Sequence, residues 1–275
     1  MKIDTHQHFW LFDPVRDAWI TENMQAIRRD FLPNDIAQTL KNNGIDGVIA
    51  VQADQSHRET EFLVELSDVY KVIKGVIGWV DLCSDEITSH LQHFRQYPVI
   101  KGFRHVIEAE SDGDFLIRDN FQQGIQALTA HGYTYDLLIR PRHFESTLAC
   151  VSANPEQKFM LDHIAKPDIR HGEFDHWASF ITALAKNKNV YCKISGMVTE
   201  ADWNAWKTPD FERYIHHAVS EFGKDRIVFG SDWPVSLLAA TYEQVLEVAG
   251  KNLFDFTNDE LNAFWGGNAE KFYKL

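Results

Sequence analysis

Ile73-Lys74-Gly75-Val76-Ile77-Gly78-Trp79-Val80 is a short, mostly apolar run, and beyond it Ser84 can cap a helix with Ile87, Leu91 and Phe94 on one face. A run of that length rich in β-branched residues reads as a buried strand, and the three-to-four spacing after it as a helix. The same unit recurs along the chain. Strand-like runs stand at residues 3–8, 47–53, 73–80, 99–106, 133–139, 159–164, 190–195 and 227–231. Between them fall Ile36 and Leu40 before Gly44; Phe121, Ile125 and Leu128 before Gly132; Trp177, Ile181 and Leu184; and Phe211, Ile215 and Phe222 after Pro209. Thr257 and Glu260 have capping-box spacing ahead of Leu261 and Phe264. Eight strand-then-helix units imply parallel strands joined by right-handed crossovers. They predict one (β/α)8 barrel domain spanning residues 1–275, near the usual size of about 250 residues. A doubly wound open sheet is the competitor, but no GxGxxG follows the first strand.

Composition narrows the class. Hydrophobic residues make up 44% of the 275, enough for a packed core, which excludes native disorder. The formal charge of −13 argues against a nucleic-acid partner or an anionic membrane surface. Cys83, Cys150 and Cys192 form no CxxC pair, so no zinc knuckle or disulfide framework is expected. No apolar run approaches the roughly 18–20 residues of a membrane span, and a cytoplasmic location is the expectation. Homo-oligomerisation is left open.

In a barrel the chemistry gathers at the C-terminal ends of the strands. The first run ends in His6-Gln7-His8. Residues two apart on a strand share a face, so both imidazoles can enter the barrel mouth, as two metal ligands or two hydrogen-bonding groups. The eighth run ends in Phe229-Gly230-Ser231-Asp232-Trp233-Pro234. A carboxylate there, beside strand one, suits a general base or a metal ligand; the plainer alternative is a cap on the next turn. In the sixth run, alternation places Phe159, Leu161 and His163 on one face and predicts an inward His163. A lone histidine of that kind is often only a core residue.

Together with Leu161-Asp162-His163-Ile164-Ala165-Lys166-Pro167, these segments resemble the amidohydrolase superfamily, and within it the amidohydrolase-2 type sugar-lactonase branch. Val51-Gln52-Ala53, Gly78-Trp79-Val80-Asp81-Leu82, Lys101-Gly102-Phe103-Arg104-His105, Phe115-Leu116 and Gly267-Asn268-Ala269 extend the resemblance over nearly the whole chain. It implies a barrel that opens a sugar-acid lactone, of the L-fucono- or L-rhamnonolactone kind, to the free acid without an organic cofactor. His6, His8, His163 and Asp232 become the catalytic set, and also a candidate site for one divalent ion such as zinc. The fifth and seventh runs lack the histidines of the binuclear members, so the ligand set permits a single metal and does not require it. Gln52, Trp79, Arg104, His105, Lys166 and Trp233 are the candidate substrate contacts, with Arg104 and Lys166 suited to hydroxyls or to a substrate carboxylate. His57, His93, His216 and His217 are expected on the solvated surface. The rivals are a decarboxylase of the same superfamily, a phosphotriester or amide hydrolase, and a barrel that binds a sugar acid without turnover.

Overall fold

A computed structural model describes residues 1–275. All eight expected strands form: β1 (Ile3–Gln7), β2 (Gly47–Val51), β3 (Ile73–Gly78), β4 (Ile100–His105), β5 (Thr134–Leu137), β6 (Phe159–Leu161), β7 (Val190–Ile194) and β8 (Ile227–Phe229). Each pairs in parallel with the next. The sheet closes where Gln7 bridges Trp233 and the His8 amide donates to the Trp233 carbonyl at 2.8 Å. The result is a (β/α)8 barrel. Its helices are α1 (Pro33–Asn42), α2 (His57–Val69), α3 (Ile87–Phe94), α4 (Asp119–His131), α5 (Phe144–Ala153), α6 (Asp175–Ala185), α7 (Pro209–Phe222), α8 (Tyr242–Lys251), α9 (Asn258–Asn262) and α10 (Asn268–Tyr273). None is long and apolar enough to cross a membrane.

The apolar core divides as the pleat requires. Val48, Phe103, Leu137, Phe159, Leu161, Cys192 and Phe229 pack outward with the helices, in one cluster with Leu40, Leu91, Leu128 and Leu184. A second cluster joins Ile3, Ile49, Val51, Ile77, Met160 and Val228 to Phe272 and Tyr273 of α10. The C-terminal helix thereby packs against residues of the opposite parity, the barrel interior. Above that layer the interior turns polar, because the strands bring in Asp136 and Lys193, both fully buried. Truncating a buried Leu of the first cluster or a buried Ile of the second to Ala would cost about 2–5 kcal/mol.

Three expectations are revised locally. Ser84 caps a turn, accepting from the Glu86 amide, while α3 starts later at Ile87 with no side-chain cap. His57 is half-buried, its ring 4.5 Å from that of His90, and His217 bonds the Ala178 carbonyl between α6 and α7, so neither is a solvated surface residue. Gly132 does end α4, at a φ of 77°.

The β2–α2 connection, which carries Gln52, is bolted by Glu59: Ser56 caps α2, and the Glu59 carboxylate accepts from the Ala53 amide at 2.9 Å. Burial lifts the Glu59 carboxyl to about 7. A value raised above the unfolded one means that the fold holds this proton more tightly than the unfolded chain does. The contribution is therefore present at acid pH and is lost as pH rises through about 7, on the order of 2–3 kcal/mol at most. Glu59→Gln should flatten this part of the stability profile. The check is Tm at pH 5 and pH 8, where the variant should lose less than the parent; equal losses would contradict the assignment.

Candidate active site

The first and last strands build the centre of the mouth together. Asp4 is fully buried and clamps them: its Oδ1 accepts from the Ser231 amide at 2.8 Å, and its Oδ2 from Gln7 Nε2 at 2.7 Å and Tyr242 at 3.0 Å. Gly230 permits the close approach, since a Cβ there would lie 2.9 Å from the Cβ of His6. His6 and His8 then face each other with their Nε2 atoms 3.1 Å apart. Asp232 Oδ1 is 3.8 Å from His6 Nε2, 3.5 Å from His8 Nε2 and 3.9 Å from His163 Nε2. The shortest approach of each imidazole is to Oδ1. The four residues inferred from the sequence thus converge.

His163 arrives by a route that strand alternation does not describe. Phe159 and Leu161 face the helices, and the chain then turns through four left-handed residues, His163 to Lys166, with φ between 46° and 63°. Asp232 is left-handed too, at 59°. Such conformations cost L-residues about 1–2 kcal/mol each and persist where the surroundings over-determine them. Here Ser195 Oγ meets His163 Nδ1 at 2.9 Å, and Gly196 leaves the room: a Cβ there would sit 2.4 Å from that nitrogen.

Beneath the histidines lies a buried ionic floor. Lys193 on β7 pairs with Asp136 on β5 and, at 2.9 Å, with Asp162 after β6. Arg104 on β4 donates to Asp162 Oδ2 at 3.0 Å, to His6 Nε2 at 3.2 Å and to the Gln52 carbonyl at 2.6 Å. Burial raises the Asp162 carboxyl, but Lys193, His6 and Arg104 outweigh it and hold it well below the usual range. Asp136, against the same burial, is pushed up to about 6 despite Lys193. His6 and His163 are both driven well below the usual imidazole range by burial, which Asp162 and Asp232 respectively oppose in part. Burial also raises Asp232, but His163 and His8 prevail and keep it low and ionised.

The hydrogen bonds assign the His8 tautomer. His8 Nδ1 can only donate to the Val51 carbonyl, 2.8 Å away, so its Nε2 carries a lone pair. His6 meets a cation at each ring nitrogen: Arg104 at Nε2 and Lys193 at Nδ1, both at 3.2 Å, with Asp162 Oδ1 3.3 Å from Nδ1. His6 Nε2, His8 Nε2 and a carboxylate oxygen are separated by 3.1, 3.5 and 3.8 Å. A tetrahedral zinc with bonds of about 2.0–2.1 Å needs ligand separations of about 3.3–3.4 Å. His6, His8 and Asp232 therefore fit one ion. His163 lies outside that group and instead forms a second one with His6 and Asp162.

The substrate candidates divide. Gln52 Nε2 holds the Arg104 carbonyl at 3.0 Å, while Gln52 Oε1 and Arg104 Nε are buried with no partner. Trp79 Nε1 donates to His105 Nδ1 at 3.4 Å, and His105 Nε2 then donates to Glu110 at 2.8 Å. Trp233 is 4% exposed and packs its ring against Phe9 and Phe31. Lys166 grips Glu108 through both carboxylate oxygens, at 2.8 and 2.9 Å. Asp136, Asp162, Lys193, Ser195 and Glu108 were not singled out from the sequence. A usable signal existed: a Lys and an Asp inside otherwise apolar strand runs must find each other or be very costly.

Comparison with known proteins finds relatives over the whole chain. The family model described as amidohydrolase matches residues 3–275. An L-fucono-1,5-lactonase of Burkholderia multivorans is 34% identical over all of this chain and 96% of its own length. The enzyme of the same name from Burkholderia ambifaria is 32% identical, again over all of this chain and 96% of its own. An amidohydrolase structure from Burkholderia multivorans with bound zinc is 34% identical, covers 100% of this chain and 99% of its own, and superposes with a TM-score of 0.96.

The floor yields a stability test. Lys193→Met leaves two carboxylates facing each other without their ammonium and should cost about 3–5 kcal/mol in denaturant unfolding. Adding Asp136→Leu should recover much of that loss. A double variant no more stable than the single one would show that the pair is not coupled.

Proposed function

Because the chain belongs to the amidohydrolase family, we propose that it is a hydrolase that opens a sugar-acid lactone, of the L-fucono-1,5-lactone kind, to the free acid. The observation that carries the reading is Asp232, with three imidazoles within 3.9 Å of its carboxylate, at the mouth of a barrel related over its full length to two lactonases. That relationship also sets the lactonase reading above decarboxylation and above binding without turnover.

The reaction follows from the site's own groups. Asp232 Oδ2 takes a proton from water as the water oxygen bonds to the ester carbonyl carbon. Charge then develops on the carbonyl oxygen. With the Ser195 hydroxyl donating to Nδ1, His163 carries its proton on Nε2 and can donate it in a hydrogen bond to that oxygen. As the intermediate collapses, the carbon–oxygen bond of the ring breaks and Asp232 returns the proton to the ring oxygen. One water is consumed and one carboxylic acid appears. Gln52 Oε1 and Arg104 Nε, two of the buried polar atoms near the site that lack a partner, are the proposed contacts for ring hydroxyls. A zinc ion held by His6, His8 and Asp232 would supply Lewis acidity toward a carbonyl or a water.

Asp232→Asn should keep the circular dichroism spectrum and lose about 10²–10⁴ in kcat on an aldonolactone followed with a pH indicator. Near-full turnover by that variant would remove Asp232 as the base. Added zinc should raise the Tm of the chelator-treated protein through mass action and leave His8→Ala unmoved. An equal rise in both would place the ion elsewhere.

A further inference from the structure

Four consecutive strand-to-helix connections each send one charged side chain to the same place on the barrel rim. Glu108 follows β4, Arg140 follows β5, Lys166 follows β6 and Glu200 follows β7. Lys166 Nζ lies 2.8 and 2.9 Å from the two Glu108 oxygens and 3.8 Å from Glu200. Arg140 Nε meets Glu108 at 3.1 Å, and its terminal nitrogen meets Glu200 at 2.6 Å. The side chains keep between 12% and 35% of their surface, so the cluster is open to solvent on the face of the barrel where the strands end. It also reaches the chemistry. Lys166 closes the left-handed turn that carries His163, its amide donating to the His163 carbonyl at 2.8 Å.

The pairing decides what charge the mouth offers. Each of Arg104, Arg140, Lys166 and Lys193 already has a carboxylate partner. Asp232 and Glu110 add carboxylates on the same side, Glu110 behind His105. None of the four cations is free to greet an anionic substrate, and Arg142, beside Arg140 on the same connection, is engaged by the Glu108 and Glu110 carbonyls. A carboxylate entering here would have to displace Glu108 or Glu200 from a bidentate or two-cation arrangement, the strong kind of charge-assisted hydrogen bond.

We propose that Glu108 and Glu200 set the charge specificity of the site: by occupying Lys166 and Arg140 they reserve the mouth for uncharged polyhydroxy lactones and exclude lactones bearing a carboxylate. The inference rests on the lactonase reading above and extends it to the rim. It makes the two glutamates specificity residues that act through Lys166 and Arg140, and it places discrimination in repulsion of the wrong ligand.

Binding separates this inference from the reading it rests on. The probes are a neutral aldonolactam, which resists hydrolysis, and its counterpart with a terminal carboxylate, both titrated calorimetrically. The parent protein should bind the neutral lactam at least about tenfold more tightly, the scale of one lost charge-assisted contact. Glu200→Gln should improve the anionic lactam by about tenfold at low salt, leave the neutral one nearly unchanged, and lose its gain at high salt. Glu108→Gln should do the same; because it also loosens Lys166, Glu200→Gln is the variant to rely on if Glu108→Gln unfolds. Adding Lys166→Met to Glu200→Gln should cancel the improvement, which a merely structural clamp would not do. An unchanged ratio of the two affinities in folded Glu200→Gln would overturn the proposal, as would a parent that prefers the anionic lactam or binds neither. Absence of turnover on every neutral aldonolactone, with the binding ratio as expected, would count against the lactonase reading alone.

Discussion

Lys193 and its two carboxylates are the constraint on which the active site depends. Moving ions of this kind out of water costs several kcal/mol each, even after relaxation. The arrangement survives because it is closed: Asp136 and Asp162 share the ammonium, Arg104 supplies a second cation to Asp162, and Tyr273 of α10 bonds Asp136 at 3.2 Å. Strands β4, β5 and β7, the turn after β6 and the C-terminal helix are thereby joined around one buried charge. His6 rests on this floor through Asp162 and Arg104, so its ring orientation is fixed by the barrel interior. Removing any member leaves a buried charge unmatched, which is why the floor behaves as a unit.

The floor also explains how strained backbone is tolerated above it. Four successive left-handed residues from His163 to Lys166 are unfavourable alone. Asp162 at the start of the turn is fixed by two cations, Ser195 and Gly196 receive the imidazole, and Lys166 at the end is fixed by Glu108. Both ends are held by ion pairs, so the turn has little freedom to relax into ordinary conformations. The gain is direction: the turn aims His163 at Asp232, where a straight strand would have sent the side chain to the helix face.

This turn marks where the sequence stops being readable. Eight strands and most helix faces could be read because β-branched runs and three-to-four spacing report burial directly. His6 and His8 could be read because alternation by two holds to the end of β1. Alternation fails at His163, since nothing in Asp162-His163-Ile164-Ala165 announces positive φ; the residues are not the glycines or asparagines that usually do. Residue type announced a role for Trp233 against substrate, yet the ring fills space between Phe9 and Phe31. Lys166 and Arg104 carried a sign in the sequence but not their partners. The seventh run was informative for lacking histidine, and that question concealed the lysine it does contain. Partnerships between distant strands are fixed by topology, and one sequence without its fold does not display them.

The site thus has two charged tiers with different physics. In the floor, low dielectric makes every pairing costly to alter, and a substitution there is felt in stability before it is felt in chemistry. On the rim, Glu108, Arg140, Lys166 and Glu200 remain partly solvated, so their pairings are screened by salt and altering one costs less stability than in the floor. The first tier fixes the position of His6, and the second sets the charge along the rim. The two meet at the turn from Asp162 to Lys166, whose first residue belongs to the floor and whose last belongs to the rim. A rim substitution that keeps Lys166 paired should leave the position of His163 intact, because the other end of the turn stays fixed in the floor. Within this barrel, selectivity for substrate charge can therefore change while the acid–base machinery stays in place.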